Sequence, residues 1–415
     1  MLKSIIIIND YAYINGGAGS VAIRSAIDLA KNSPYDTYFV SSVGPVSEEL
    51  KEAGFKGIIC LDQYDILNNP SSPAAFMQGL WNKKAKNSIY SFLEKFDKKT
   101  TIIHVHTWTK ALSSSIFSAI NELDFSVIIT LHDYFINCPN GGYYNYPKAR
   151  ICELKPMSAK CILSNCDSRK YYFKLWRVVR QYIQNSELKC TENISYIGVS
   201  DFSKKQILLR SPELGNISII DNPVELLCKD KVNVSDNKVY TYLGRLSEEK
   251  GIRLFCDIAE KMAIDAIVIG DGPLKKELEE KYGTKIKFTG WLAPKEIDKY
   301  LKQTRCLIFP SLWYETLGLT VLEAQSYGIP CIVSAQSAAA DLITDNENGL
   351  LFNVENPDSL ERTIQKTVDD NYIDLLSENS FQSFNASKYS IRNHVRSLLN
   401  FYLKTLENEN SNSSR

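Results

Sequence analysis

The sequence predicts an α/β fold of two domains, each a doubly wound parallel sheet. Three observations lead there. Its 415 residues exceed what one hydrophobic core usually fills, and 44% of them are apolar, enough to build two. Short apolar runs of strand length recur along the chain between longer stretches of helical periodicity, as in parallel sheets covered by crossover helices. A segment with loop character near Asn222 divides that rhythm in two.

In the first half the strands are expected at 4–8, 37–40, 102–106, 127–131 and 195–199. In the second half they are expected at 239–243, 266–269, 285–288, 306–309 and 330–333. The run 4–8 is too short for a signal peptide or a membrane span and is followed by Asn9 and Asp10, which suits a buried strand. The stretch 220–236 holds Asn222-Pro223 and a mixed-charge segment and suits a linker. The expected division is 1–222, 223–384, a terminal helix over 385–407, and a disordered tail at 408–415.

Forty-eight basic and 48 acidic side chains cancel, which argues against a general nucleic-acid binder. Without a targeting segment the expected compartment is the cytoplasm, and the ten cysteines are then read as reduced thiols or metal ligands. In open α/β sheets ligands bind beyond the carboxyl ends of the strands, so two facing sheets would share one cleft.

Three motifs fall at such strand ends in the second half. Gly244 to Gly251 carries Arg245 and Lys250, two cations suited to an anion, or to surface ion pairs with Glu248 and Glu249. Gly270-Asp271-Gly272-Pro273 is a strand-to-helix turn without the third glycine of a dinucleotide fingerprint. The segment 310–324 joins a strand to a helix expected to start near Thr316, whose free amides around 317–319 would suit a pyrophosphate. Glu315 would sit at its mouth and Glu323 eight residues on, about 12 Å along a helix, so that each carboxylate could take one sugar of a sugar nucleotide. The plainer alternative is a cap residue and a surface glutamate.

In order and spacing these motifs resemble glycosyltransferase family four. The resemblance is most specific over 240–352 and implies the GT-B fold, two Rossmann-like domains facing across a cleft, with the C-terminal helix crossing back to the first. It implies that Arg245 and Lys250 hold the donor diphosphate, that Glu323 binds the ribose, and that Glu315 faces the transferred sugar. Backbone amides of Gly318, Leu319 and Thr320 would complete the donor contacts. One departure is Ala338-Ala339-Ala340-Asp341, where the family often has a glycine pair before an acidic residue.

In the first half, Asn15 to Gly19 precedes a helix expected from about Ser20, and by the same resemblance Gly16 and Gly17 reach the acceptor and the donor phosphate. His132-Asp133 resembles the family's histidine at the cleft, so His132 joins Glu315 as an expected catalytic residue. His106 and Asp133 are expected on the acceptor side, and His104 is left as structural. His104, His106 and His132 would also serve a metal-dependent hydrolase, and a non-catalytic sugar-nucleotide-binding protein on the same fold is a further alternative.

Cys138, Cys152, Cys161 and Cys166 fall within 29 residues and could bind a structural zinc, although they lack paired Cys-x-x-Cys knuckles; reduced thiols are the alternative. The segment 169–189 interleaves Arg169, Lys170, Lys174, Arg177, Arg180 and Lys189 with aromatic residues. It reads either as a basic amphipathic helix that touches a membrane or as a core helix with a charged edge. The resemblance implies a retaining enzyme that moves a sugar from a UDP- or GDP-sugar to a glycan or lipid-linked acceptor, in bacterial surface polysaccharide assembly at the inner face of the membrane. No Asp-x-Asp occurs, which agrees with a reaction that requires no metal cofactor.

Overall fold

The computed structural model describes residues 1–191, 193–225 and 230–412. The first sheet contains seven parallel strands: β1 (Ser4–Tyr11), β2 (Asp36–Val43), β3 (Gly57–Cys60), β4 (Thr101–Val105), β5 (Val127–Leu131), then β8 (Ile194–Gly198) and β9 (Ile217–Ile219). A small antiparallel hairpin, β6 (Tyr144–Asn145) with β7 (Arg150–Ile151), lies in the insert between β5 and β8. The spatial order is β3-β2-β1-β4-β5-β8-β9.

The second sheet holds β10 (Val239–Leu243), β11 (Ala266–Ile269), β12 (Ile286–Gly290), β13 (Thr304–Phe309), β14 (Cys331–Ser334) and β15 (Gly349–Phe352). Its order is β12-β11-β10-β13-β14-β15, again all parallel. All ten strands expected from the sequence are present. β3, β9 and β15, at sheet edges, escaped the sequence reading because their apolar runs are only three or four residues long.

β1 shows why its isoleucine run reads as continuous. Ile6 and Ile8 pack on one side of the sheet with Val40, Ile103 and Phe117, while Ile5 and Ile7 pack on the other with Ile23, Leu29 and Phe39. Both faces are covered, so every position is buried; each such side chain contributes about 1.5–3 kcal/mol.

The final helix, Ile391–Asn412, buries Val395, Leu398, Tyr402 and Leu406 against this second face of the first sheet. It runs through residue 412 where a disordered tail was expected from 408, because helical hydrogen bonding continues past the last packed residue; 413–415 lie outside the described residues. Of the expected linker, 226–229 also lie outside them. Just before that gap the Val224 amide donates to the Tyr389 carbonyl, and Arg24 pairs with Glu225. No helix among the described residues is long and apolar enough to cross a membrane.

Candidate active site

The site is assembled from loops at the carboxyl ends of β1, β4, β5, β10 and β13. After β13 the chain does not enter the helix at Thr316 as expected. Gly318 caps it with a left-handed backbone (φ 113°), and the helix spans Leu319–Ser326. The glycine is required twice over, since a Cβ there would also lie 2.6 Å from the Ala339 Cβ. Ala338 and Ala339 accordingly pack, buried, behind the cap at the start of a 3₁₀ turn.

Val321 and Leu322 donate back to the Gly318 carbonyl, so Leu319 and Thr320 present the helix's first amides to the cleft. The Thr320 hydroxyl is buried there without a hydrogen-bond partner. Thr316 is drawn away to the other domain, donating through Oγ1 to the His132 carbonyl at 2.9 Å. Of the step between the two glutamates only Leu319 to Glu323 is helical, about 6 Å of rise, so a 12 Å helical spacing does not describe their separation.

Glu315 is 7% exposed and accepts two hydrogen bonds at Oε1, from Lys250 Nζ and from Ser311 Oγ, each 2.6 Å. Lys250 also lies 5.0 Å over the Trp313 ring. Its loop is held from two sides: the Leu312 amide donates to the Glu249 carbonyl, and the Leu246 amide to the Asp271 carbonyl in the 270–273 turn. That turn therefore braces the cationic loop. A Cβ at Gly251 would meet the Pro310 carbonyl oxygen at 1.9 Å, so only glycine allows this approach. Arg245 is exposed on the same loop.

Glu323 is half-buried on the helix. Packing around it pushes its carboxyl up to about 7, with Arg24 opposing the rise and Glu225 adding to it. Arg24, on the helix Gly16–Asn32, was not singled out in the sequence because it falls mid-helix, outside any glycine-rich turn. That helix opens at Gly16 rather than Ser20. A Cβ on Gly17 would come 3.3 Å from Leu319 Cδ1, so the starts of the two helices meet across the cleft.

The histidines divide into two sets. His106 Nδ1 and His132 Nε2 share a hydrogen bond at 2.9 Å, whereas His104 bonds Tyr402 at 2.6 Å and Thr130 at 2.7 Å. Burial holds His104 and His106 well below the ordinary imidazole range and brings His132 to about 3, so all three are neutral at pH 7. His106 Nε2 is buried without a partner, beside a small enclosed cavity lined by Trp108, Thr130, His132 and Asp133. Asp133, whose Oδ1 accepts from the Phe135 amide, is pushed up to about 6 by burial. Asp10, also missed in the sequence, is fully buried and accepts from the amides of Lys110, Ala111 and Leu112, fixing the loop after β4.

Two pairs of alternatives left open by the sequence can be set on the structure. Among the described residues no group of three or more histidine, cysteine or acidic side chains is placed to hold a metal ion. The histidines bond each other and the core instead of converging, and of the four cysteines Cys161 accepts from the buried Lys174 amine at 3.5 Å. The helix Tyr171–Cys190 does not present a basic face. Lys174 and Arg180 are buried, Arg177 pairs with Asp167, and Arg180 reaches the Thr109 and Pro139 carbonyls. Tyr172, Leu175, Val179 and Tyr182 are exposed along its middle, and Lys189 is exposed at its end.

Comparison with known proteins fits this arrangement. The structure superposes on HepE of Anabaena, solved with UDP and glucose, with a TM-score of 0.68 at 15% identity, covering 96% of this chain and 98% of that one. It superposes on sucrose-phosphate synthase of Thermosynechococcus elongatus with a TM-score of 0.70 at 17% identity, covering 97% and 98%. The fold is GT-B. Within it, residues 226–382 match the family model of glycosyl transferases, group 1.

Among relatives by sequence is the UDP-Gal:alpha-D-GlcNAc-diphosphoundecaprenol alpha-1,3-galactosyltransferase of Escherichia coli, 26% identical over 260 residues, 56% of this chain and 65% of that protein. An uncharacterized glycosyltransferase of Methanocaldococcus jannaschii is 25% identical over 245 residues, 53% of this chain and 62% of that protein. The matches thus span less than two thirds of these two relatives. On the GT-B frame, the paired Lys250 and Glu315 stand on the second domain and His132 on the first, joined by the Thr316 hydrogen bond.

Proposed function

We propose that this chain is a retaining glycosyltransferase that moves a sugar from a nucleoside diphosphate sugar to a glycan or lipid-linked acceptor in surface polysaccharide assembly. The observation that carries the reading is the convergence at one helix start of Lys250, Glu315 and the unpartnered Thr320 hydroxyl. Group 1 glycosyl transferase character over 226–382 supports it. A relative named for a UDP-sugar donor and a diphosphoundecaprenol acceptor favours a uridine donor and a lipid-linked acceptor.

In this reading Arg245, Lys250, the Thr320 hydroxyl and the amides of Leu319 and Thr320 receive the diphosphate. Gly17 brings the start of the facing helix to the same phosphates, and Glu323 accepts from the ribose hydroxyls. Glu315, already oriented by Ser311 and Lys250, faces the donor sugar. The His106 hydrogen bond occupies His132 Nε2 and leaves Nδ1 for the sugar; a neutral imidazole there orients and does not act as an acid.

The acceptor hydroxyl attacks the anomeric carbon on the face the diphosphate leaves. The bond from that carbon to the diphosphate oxygen breaks, the new glycosidic bond forms, and the hydroxyl proton passes to the departing phosphate. Lys250, Arg245 and the helix start stabilise the charge that develops on the leaving group.

A thermal-shift panel of UDP- and GDP-sugars, followed by donor hydrolysis and transfer assays on the hits, tests the proposal. A UDP-sugar is expected to stabilise the protein and to be turned over, with the anomeric configuration kept in the product. Binding without turnover would leave a sugar-nucleotide-binding protein, and inversion would overturn the same-face mechanism.

A further inference from the structure

Glu315 belongs to the second domain by its side chain and to the first by its backbone. Its carboxylate is held by Ser311 and Lys250. The four residues 314–317, between β13 and the helix Leu319–Ser326, form neither helix nor strand, so their peptide groups need partners from elsewhere.

Those partners come from the first sheet. Leu131 at the end of β5 lies opposite Gly198 at the end of β8, so the chain leaves the two strands side by side. Three residues on from Leu131, the Tyr134 hydroxyl donates to the Glu315 carbonyl at 3.3 Å. Two residues on from Gly198, Ser200 Oγ donates to the Thr316 carbonyl at 2.5 Å. Among the described residues no hydrogen bond from the second domain reaches either carbonyl.

Both donors are firmly mounted. Tyr134 is fully buried, and burial holds its hydroxyl well above the ordinary phenol range, so it keeps the proton it donates. Ser200 Oγ also accepts from the Ser203 amide at 3.0 Å, capping the helix Asp201–Arg210, which fixes the oxygen against Thr316.

The side chains on either side are seated in the same way. Tyr314 packs against the first domain's core, its ring centroid 5.5 Å from that of Phe202, with the Arg210 guanidinium 5.4 Å from its centre. Leu317, 7% exposed, packs with Val199. Every residue from 314 to 317 is thus held by the first domain.

We propose that Tyr134 and Ser200 are positioning residues for transfer: by holding the Glu315 and Thr316 carbonyls they set the direction in which the Glu315 side chain leaves the backbone to face the donor sugar. A misplacement of about 1 Å at a reacting centre can lower a rate about 100-fold. Neither hydroxyl bonds a group assigned to the diphosphate, so nucleotide binding does not depend on them. The proposal rests on the transferase reading of the preceding section and adds two first-domain residues to it.

Kinetics of the full chain, with the sugar nucleotide of the UDP- and GDP-sugar panel that the parent turns over fastest, test this. Tyr134→Phe and Ser200→Asp should each lower kcat about tenfold and together about 100-fold, while donor KM stays within about twofold of the parent. The thermal shift given by UDP or GDP should be unchanged. Tyr134→Phe keeps the ring, and Ser200→Asp keeps the helix cap but has no proton for the Thr316 carbonyl, so a role confined to packing or capping leaves kcat alone. Uncharged Ser200→Gly, also tolerated as a cap, should show the same loss as Ser200→Asp. Ser200→Thr, which keeps both cap and proton, should return kcat to within about twofold of the parent.

A kcat within about twofold of the parent in well-folded Tyr134→Phe and Ser200→Gly would overturn the proposal. So would a raised donor KM with kcat unchanged, which would make the two hydroxyls part of ground-state donor binding. A parent that turns over no sugar nucleotide would sink the transferase reading and the positioning role with it. Turnover by the parent beside unaffected variants would sink the positioning role alone.

Discussion

The donor loop 310–323 and the insert 133–190 border the same cleft, with Gly142 against the Trp313 ring, yet they carry their information differently. In the donor loop, residues singled out by spacing come together in a pairing that spacing did not name: Lys250 reaches Glu315 across 65 positions of sequence. In the insert, the most conspicuous sequence feature, its run of cations, is split: Arg169, Lys170 and Lys189 stay exposed while Lys174 and Arg180 are buried. Arg180 lies between the Phe135 and Trp176 rings, and Lys174 sits among thiols. Short motifs at strand ends are fixed by the backbone that carries them. A helix with both apolar and charged residues on several sides can be docked in more than one rotation, and burial chooses among them.

The contrast can be broken most directly at Glu315. Glu315→Gln should lower kcat by about 10²–10³-fold with the fold intact, because it loses the charge paired with Lys250 that the proposed mechanism sets against the donor sugar; steady-state kinetics with a melting curve decide it. If turnover survives, the donor loop is no more informative than the insert.

On the insert side, Arg180→Met should destabilise the protein by about 3 kcal/mol, since the Thr109 and Pro139 carbonyls and two rings lose their partner. Exposed Lys170→Met should stay within about 0.5 kcal/mol in the same denaturant titration. Equal effects would restore the basic-face reading.

Acid should act on the first domain, which contains His104, His106 and His132. These buried imidazoles have folded values below the ordinary one, so below about pH 6.5 the unfolded chain binds more protons and stability falls. The melting temperature is expected to drop between pH 7 and pH 5; an unchanged value would show that these side chains are not buried neutral.

On the proposed role of Glu323 at the donor ribose, Glu323→Gln should weaken UDP-sugar binding by about tenfold. The parent's affinity should rise as pH increases through about 7, where the carboxyl becomes an acceptor, and the variant should lose that dependence. Calorimetric titration at pH 6 and pH 8 distinguishes the two.

A modest effect is expected at Tyr402→Phe, which removes one hydrogen bond to His104 between the last helix and the first sheet and should cost about 1 kcal/mol, with kcat unchanged.

What the sequence determined by itself was the rhythm of strands and the residues at their ends. Runs such as Ile5 to Ile8, short and followed by polar residues, suit doubly covered strands, and glycine, cation and glutamate at fixed offsets after β10 and β13 fall at turns there. Tertiary structure decided the rest. It moved the helix start from Thr316 to Leu319, because the Thr316 hydroxyl is satisfied by the His132 carbonyl and the cap falls to a glycine packed on Ala339. It brought Asp10 and Arg24 into the site's surroundings, since neither lies in a motif and only long-range contacts give them a role. It turned Lys174, Arg177 and Arg180 inward, because buried carbonyls, a carboxylate and aromatic rings waited there, and a periodicity read along one helix says nothing about the partners on either side.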